Sequence, residues 1–237
     1  MRYFVAINNQ NSLEVTGLYI SKLPPISKPL QRTNIEEIDG RDGDIVTTLG
    51  YSAYDKEMEI GLFGDYNIDE IISFFTQEGT ITFSNEPDKY YKFKIINDIN
   101  FEEFQRFKTA TVVFHCQPFK FSTTEGTRTF TTFPSNTVVI CNNGNVYSKP
   151  TLTLTGSGTI NLSLNGVQVA VVALANEGET IEIDLDKLEA YNPATKVLKN
   201  RQVTGDYENL YLKVGNNTIS WTGTITSVKL KNYSRWI

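Results

Sequence analysis

One histidine, two cysteines and two tryptophans are scattered through 237 residues, and no long apolar run occurs anywhere. With His115 alone and no CxxC pair, zinc has no ligand spacing to use. Cys116 and Cys141 are too few for a disulfide framework and read as two partly buried thiols. No stretch approaches the ~20 apolar residues of a membrane-spanning helix, so no membrane insertion is expected. The opening MRYFVAINNQ lacks a sustained signal-peptide core, so the chain is expected to fold in a cytoplasm. Cations are scarce as well. Against 27 Asp and Glu there are 22 Lys and Arg, a net charge of −5. Residues 1–120 hold 12 cations and 18 carboxylates and residues 121–237 hold 10 and 9, so the acidity belongs to the first half. This disfavours a nucleic-acid binder, which needs clustered cations to displace phosphate counterions.

Catalytic patterns are also missing. His115 and Cys116 are neighbours on one strand and point to opposite faces, so they cannot form a nucleophile pair across it. Gly156-Ser157-Gly158 is followed by strand-like alternation and no third glycine, which makes it a turn and not a dinucleotide loop. Asp39, Asp42 and Asp44 lack the 1, 3, 5 spacing and closing glutamate of a calcium loop. No enzyme activity, metal or other cofactor is expected.

What is present is β structure. Residues 3–7 form a short apolar strand, and KLPPISKPL, with prolines at 24, 25 and 29, is an extended arm or edge. In residues 57–62, Met58, Ile60 and Leu62 alternate with Glu57, Glu59 and Gly61, the pattern of a half-buried strand. Asn67, with Glu70 three positions on and Gly79 beyond, predicts one helix closed by a capping box and a glycine stop. Its apolar stripe is Ile68, Ile71, Ile72 and Phe75. Strands follow at 80–84, 90–96 and 111–117, the first two joined by a tight turn at Asn85-Glu86-Pro87-Asp88. On the third, Val112, Phe114 and Cys116 share a face.

The polar, Thr-rich residues 122–135 read as a linker between a domain at 1–121 and a second at 136–237. Short alternating strands and turns, with no long helix, make the second domain an antiparallel β-sandwich. Asn165-Gly166 is its strongest hairpin signal. Glu182, Asp184 and Asp186 alternate with Ile181, Ile183 and Leu185 and are expected to face water. Residues 188–213 form the one sizeable irregular excursion, read as a long sandwich connection. Trp221 alternates with Ile219 and is expected in the core, whereas Trp236, near the end, could close a strand or an interface. Of Tyr90 and Tyr91, one ring must lie off the core.

Four blocks in this order carry a family likeness: GRDG with the strand after it; FFTQEGTITFSNEPDKYYKFKI; TATVVFHCQPF; and NNGNVYSKPTLTLTGSGTINLSLNG with GNNTISWTGTI and the terminal RW. Together they span most of the chain from Gly40 to Trp236. The combination resembles the distal tail protein (Dit) family of long-tailed (siphovirus) bacteriophages and prophages. The resemblance implies a mainly β fold, with an N-terminal tail-tube-like domain and a C-terminal galectin-like sandwich. It also implies a hexameric ring at the virion tail tip, assembled in the host cytoplasm. That ring would join the tail tube (major tail protein or tape-measure complex) to the tail-associated and receptor-binding proteins, with DNA as passing cargo. Glu36, Glu37, Asp39, Asp42 and Asp44 are then candidates for lining the channel, since a lumen of DNA's own sign avoids trapping it. Tyr90, Trp221 and Trp236 are candidates for contact with a partner or a glycan. The inserted carbohydrate-binding module of some members is absent, because 188–213 is too short for one. The alternative is a glycan-binding adhesin acting through the second domain.

Overall fold

In the computed structural model, which describes residues 2–237, the chain divides between Thr123 and Thr124 into two units, each with its own apolar core. The first unit contains β1 (Val5–Ile7), β2 (Gln10–Asn11), β3 (Leu18–Lys22), β4 (Gln31–Glu37), β5 (Asp44–Tyr51), β6 (Tyr54–Leu62), α1 (Ile68–Phe75), β7 (Gly79–Phe83), β8 (Lys89–Ile95), α2 (Phe101–Phe107) and β9 (Thr109–Ser122). Its main sheet runs β2-β1-β7-β8-β9-β6-β3, all neighbours antiparallel. Period-two alternation decides what it buries. In β6, Lys56, Met58, Ile60 and Leu62 turn inward while Asp55, Glu57 and Glu59 stay exposed. In β9, Val112, Phe114 and Cys116 are fully buried.

The helix α1 starts where expected, with the Asn67 side chain accepting from the N–H groups of Asp69 and Glu70. Two details differ from the sequence reading. Glu70 does not close a capping box; its carboxylate accepts from the Thr16 N–H at 3.4 Å instead. The buried stripe is Ile71, Phe74 and Phe75, with Ile72 only half-buried, so the helix is rotated to put Phe74 against the sheet. A second helix, α2, was not expected. Asn100 caps it by accepting from Glu103, and Phe104 pins it to the core.

β9 does not end at Gln117, where the expected strand stops. It continues to Ser122, and its pairing with β8 slips between Phe93↔Cys116 and Tyr91↔Lys120. Pro118 has no N–H to give the ladder, so the irregularity sits where the donor is missing.

The second unit contains β10 (Arg128–Phe130), β11 (Thr137–Asn142), β12 (Thr151–Leu164), β13 (Val167–Asp184), β14 (Glu189–Tyr191), β15 (Val203–Thr204) and β16 (Gly215–Lys231). β10, inside the stretch read as a linker, pairs with the end of β16. Three of these strands are long, and each serves two half-sheets. One half is ordered β10-β16-β12-β13-β14, through residues 151–155, 180–184 and 227–231. The other is ordered β11-β16-β12-β13-β15, through residues 161–164, 167–172 and 218–222. Leu152, Leu154, Ile181, Ile183, Val228 and Leu230 of the first half share one core with Ile160, Leu162, Val172, Ile219 and Trp221 of the second.

Glycine makes the corner between the halves. The register breaks between Gly156 and Gly158 on β12 and on both sides of that stretch opposite β16. A Cβ on Gly156 would stand 2.1 Å from the Thr224 carbonyl oxygen, and one on Gly223, at φ +97°, 2.5 Å from that of Thr159. The hairpin at Asn165-Gly166 has positive φ at both positions, 51° and 84°, as a type I′ turn requires.

The excursion at 188–213 lies against this unit, burying Ala190, Val203, Leu210 and Leu212. Glu179 ties it down. Its carboxylate ion-pairs with Lys199, accepts from Gln202 Nε2 at 3.0 Å and takes the N–H groups of Ala175 and Asn176 at 2.7 and 3.1 Å. The Lys199 bond, then the Gln202 bond, hold its pKa down at about 2 from an ordinary 4.5.

These constraints can be tested by substitution. Gly156→Ala lowers stability by ~1–3 kcal/mol through overpacking against a backbone oxygen, whereas Gly126→Ala, with open space around it, stays within about 0.5 kcal/mol. Urea unfolding of both variants measures the contrast. A depressed carboxylate pKa contributes stability that is complete above the unfolded value and lost as pH falls through the folded one. Glu179→Gln is therefore less stable than the parent at pH 7, and the gap closes between pH 4.5 and about 2 in an acid titration of the two proteins.

Candidate functional site: an exposed arm and its buried anchor

β4 and β5 form a separate two-stranded ribbon that joins no other strand among the described residues. Every residue of β4 is exposed, and β5 is hardly more covered. Ile35 and Val46 pair directly across the ribbon yet are 57% and 58% exposed, and Leu30 and Leu49 at its base are 72% and 61% exposed. Side chains this apolar in a single ribbon bury nothing unless something is laid on them.

Glu36, Glu37, Asp39, Asp42 and Asp44 gather at the far end, all exposed, where Gly40 and Gly43 at φ +82° and +79° turn the chain. Arg32 and Arg41 are the cations of the same hairpin, leaving the tip clearly acidic. These five carboxylates are thus brought together on one protruding element.

The base of the ribbon is held by a network that sequence reasoning missed. Lys56 is 3% exposed; its ammonium donates to the Pro25 carbonyl at 2.9 Å and lies over the rings of Tyr91, Tyr54 and Phe83 at 4.9, 5.2 and 5.9 Å. Asn85, in the tight turn, donates to the Pro24 carbonyl at 3.0 Å. From the same turn, Glu86 accepts from Tyr91 Oη at 2.5 Å and from Lys120 Nζ at 2.8 Å. Burial lowers the Lys56 pKa, and burial pushes the neighbouring Cys116 thiol up to about 12. Burial, then the bond to Glu86, raises the Tyr91 phenol. A signal for Lys56 was available, since it lies two residues before Met58 on the inward phase of β6.

Elsewhere, His115 Nδ1 meets Asp55 Oδ1 at 2.7 Å on the outer face of the sheet, while Cys116 faces the core. Tyr90 of the first unit is half-buried and stacks on Phe121 at 5.3 Å. In the second unit, Trp221 is 5% exposed with its ring edge-on to Phe133 at 4.9 Å, so it offers no face to a sugar. Trp236 is half-buried. Among the described residues there is no cluster of metal-binding side chains and no helix long and apolar enough to cross a membrane.

Lys56→Met keeps the stem but removes the donor to Pro25. The expected result is proteolysis at least several-fold faster within residues 23–53 and a stability loss of about 1–3 kcal/mol. Limited proteolysis with mass mapping and thermal melts measure both.

Residues 12–116 match the family described as phage tail protein RIFT-related domain. Among solved structures, the chain is similar to the Dit protein of bacteriophage SPP1 at 18% identity and TM-score 0.64, covering 97% of this chain and 98% of that one. It is also similar to a chain of the phage P2 baseplate in its activated, calcium-containing form, at 10% identity and TM-score 0.53, covering 97% and 96%. No curated protein matches it in sequence.

Proposed function

We propose that this chain, a Dit-type phage tail protein by the family of its residues 12–116 and by its fold, closes into a hexameric ring at the tail tip. The ring joins the tail tube, as major tail protein or tape-measure complex, to the tail-associated and receptor-binding proteins. The SPP1 Dit protein is described as a paradigm of the hub adsorption apparatus in phages that infect Gram-positive hosts, and the same role is inferred for this chain. The first unit, which runs to Thr123, is the ring-forming, tail-tube-like part; the second, from Thr124, is a galectin-like sandwich that faces partners. The chain assembles in the host cytoplasm and works in the virion, without catalysis.

One observation carries the reading. The β4–β5 arm exposes the Ile35–Val46 pair and both edges of its ribbon, a surface that another chain would bury. A patch of this kind meeting a different surface on the next copy makes a heterologous contact, and repetition by rotation closes a ring. The acidic tip then faces the channel, where its charge keeps passing DNA from adhering. The rival reading, a glycan-binding adhesin, loses Trp221 as a stacking platform.

Light scattering after gel filtration, together with negative-stain images, tests assembly. A six-fold ring with a central hole is expected for the purified protein or for its mixture with a tail partner. Ile35→Asp with Val46→Asp shifts the population to monomer, weakening association at least tenfold while leaving the fold's stability within about 0.5 kcal/mol. Neutralising Glu36, Glu37, Asp39, Asp42 and Asp44 leaves the ring intact and makes it retain DNA at low salt. A ring that persists without the arm, or carboxylates mapped to its outer rim, would sink the corresponding half of the proposal.

A further inference from the structure

The outer face of the second unit's β10-side half-sheet carries a groove of about 360 Å³, within the range of small-molecule sites. Its floor is ordered in bands by the strand register. Lys229 on β16 stands beside Thr153 on β12, which stands beside Glu182 on β13. One step along, Lys231, Thr151 and Asp184 repeat the pattern. Strands lie ~4.8 Å apart, so cation and carboxylate backbones are held about 10 Å apart with hydroxyls between them. Neither Lys229 nor Lys231 has an ion-pair partner among the described residues.

The carboxylates are positioned and still have room to accept. Glu182 accepts from Tyr191 Oη at 2.5 Å and from Thr153 Oγ1 at 3.2 Å. Asp184 Oδ1 takes the N–H groups of Asp186 and Lys187, which leaves Oδ2 with only a distant Lys187 at 3.7 Å. Each ionised carboxylate has about four acceptor sites, and each ammonium three donors. The groove therefore offers donors, hydroxyls and acceptors in sequence across its width.

We propose that this groove binds a neutral oligosaccharide. The lining sets Glu182 and Asp184 against Lys187, Lys229 and Lys231, so a ligand of one sign meets like charge as well as opposite charge, while an apolar peptide would leave these groups desolvated without partners. A neutral polyol supplies hydroxyls that accept from the lysines and donate to the carboxylates. Recognition is through hydrogen bonds, because Lys196 and Lys231 already cover faces of Tyr191 and Tyr233 at 4.8 and 4.6 Å. The groove belongs to the second unit and the arm to the first, so the two can be altered separately by substitution.

The full-length protein is screened on a glycan array and then by saturation-transfer NMR and calorimetry, with maltotetraose and chitotetraose as neutral probes and a heparin oligosaccharide as the polyanion. At least one neutral glycan is expected to bind. Its affinity falls at least tenfold in Glu182→Gln and in Lys229→Met with Lys231→Met, and is unchanged in Lys22→Met. Thr153→Val serves as the second reading if Glu182→Gln melts early. The proposal is overturned if no neutral glycan binds by either method, if binding ignores these substitutions, or if only the polyanion binds and only the lysines matter. Ring formation scored on the same samples separates this failure from failure of the hub reading.

Discussion

A buried ammonium decides where the arm leaves the first unit. Taking a lysine out of water costs several kcal/mol, which is offset only by close partners. Lys56 finds them in the Pro25 carbonyl and three aromatic faces. The prolines at 24, 25 and 29 cannot donate to a ladder, so the segment between β3 and β4 cannot join the sheet, yet its carbonyls still need donors. Lys56 and Asn85 supply them, and Glu86 fastens the same turn to Tyr91 and Lys120. The result is a restrained strut that delivers a ribbon to solvent from a fixed point.

Beyond that strut the ribbon has little of its own to hold it. Two antiparallel strands are marginal in water, and this pair shows Ile35, Val46 and Leu49 to solvent. Exposed edges invite indiscriminate pairing, and two features oppose it: the carboxylates at the tip, and the register slip between Arg32 and Thr33, which twists the ribbon locally. An arm that needs a partner but repels random ones suits an assembly in which one geometry is correct.

Much of this was legible in the sequence, and the failures have physical causes. Alternation found Met58, Ile60, Val112 and Phe114, because a strand with one buried face states its phase. Asn67 and the Asn165-Gly166 turn were readable because capping and positive φ demand particular residues. The helix stripe was misphased at Phe74, since Ile71, Ile72, Phe74 and Phe75 are all apolar and only the sheet chooses among them. α2 is only seven residues long, and its signals were confined to Asn100 with Glu103 three positions on and to Phe101 and Phe104 at helical spacing. The anchor was missed because a lysine on an inward phase reads as an error until its partners, distant in sequence, are seen together. The acidic tip was visible as composition, but its protrusion depends on prolines and Lys56 acting jointly.

The second unit poses a different question, because its two half-sheets share one core but not one surface. Glycine corners let β12, β13 and β16 run through both halves, and the inward residues are interchangeable aliphatics. Outward on the β11 side stand Asn161, Ser163, Thr218, Ser220 and Thr222, all uncharged; outward on the β10 side stand Lys229, Lys231, Glu182 and Asp184. Neutral residues suffice for the outside of such a sheet, since one half uses nothing else. Outer-face substitutions away from special contacts usually change stability by no more than about 0.5 kcal/mol, so folding exerts little pressure to sort charge between the halves. Packing therefore accounts for the inward residues and leaves the banded charge on one outer face free to serve a ligand or partner.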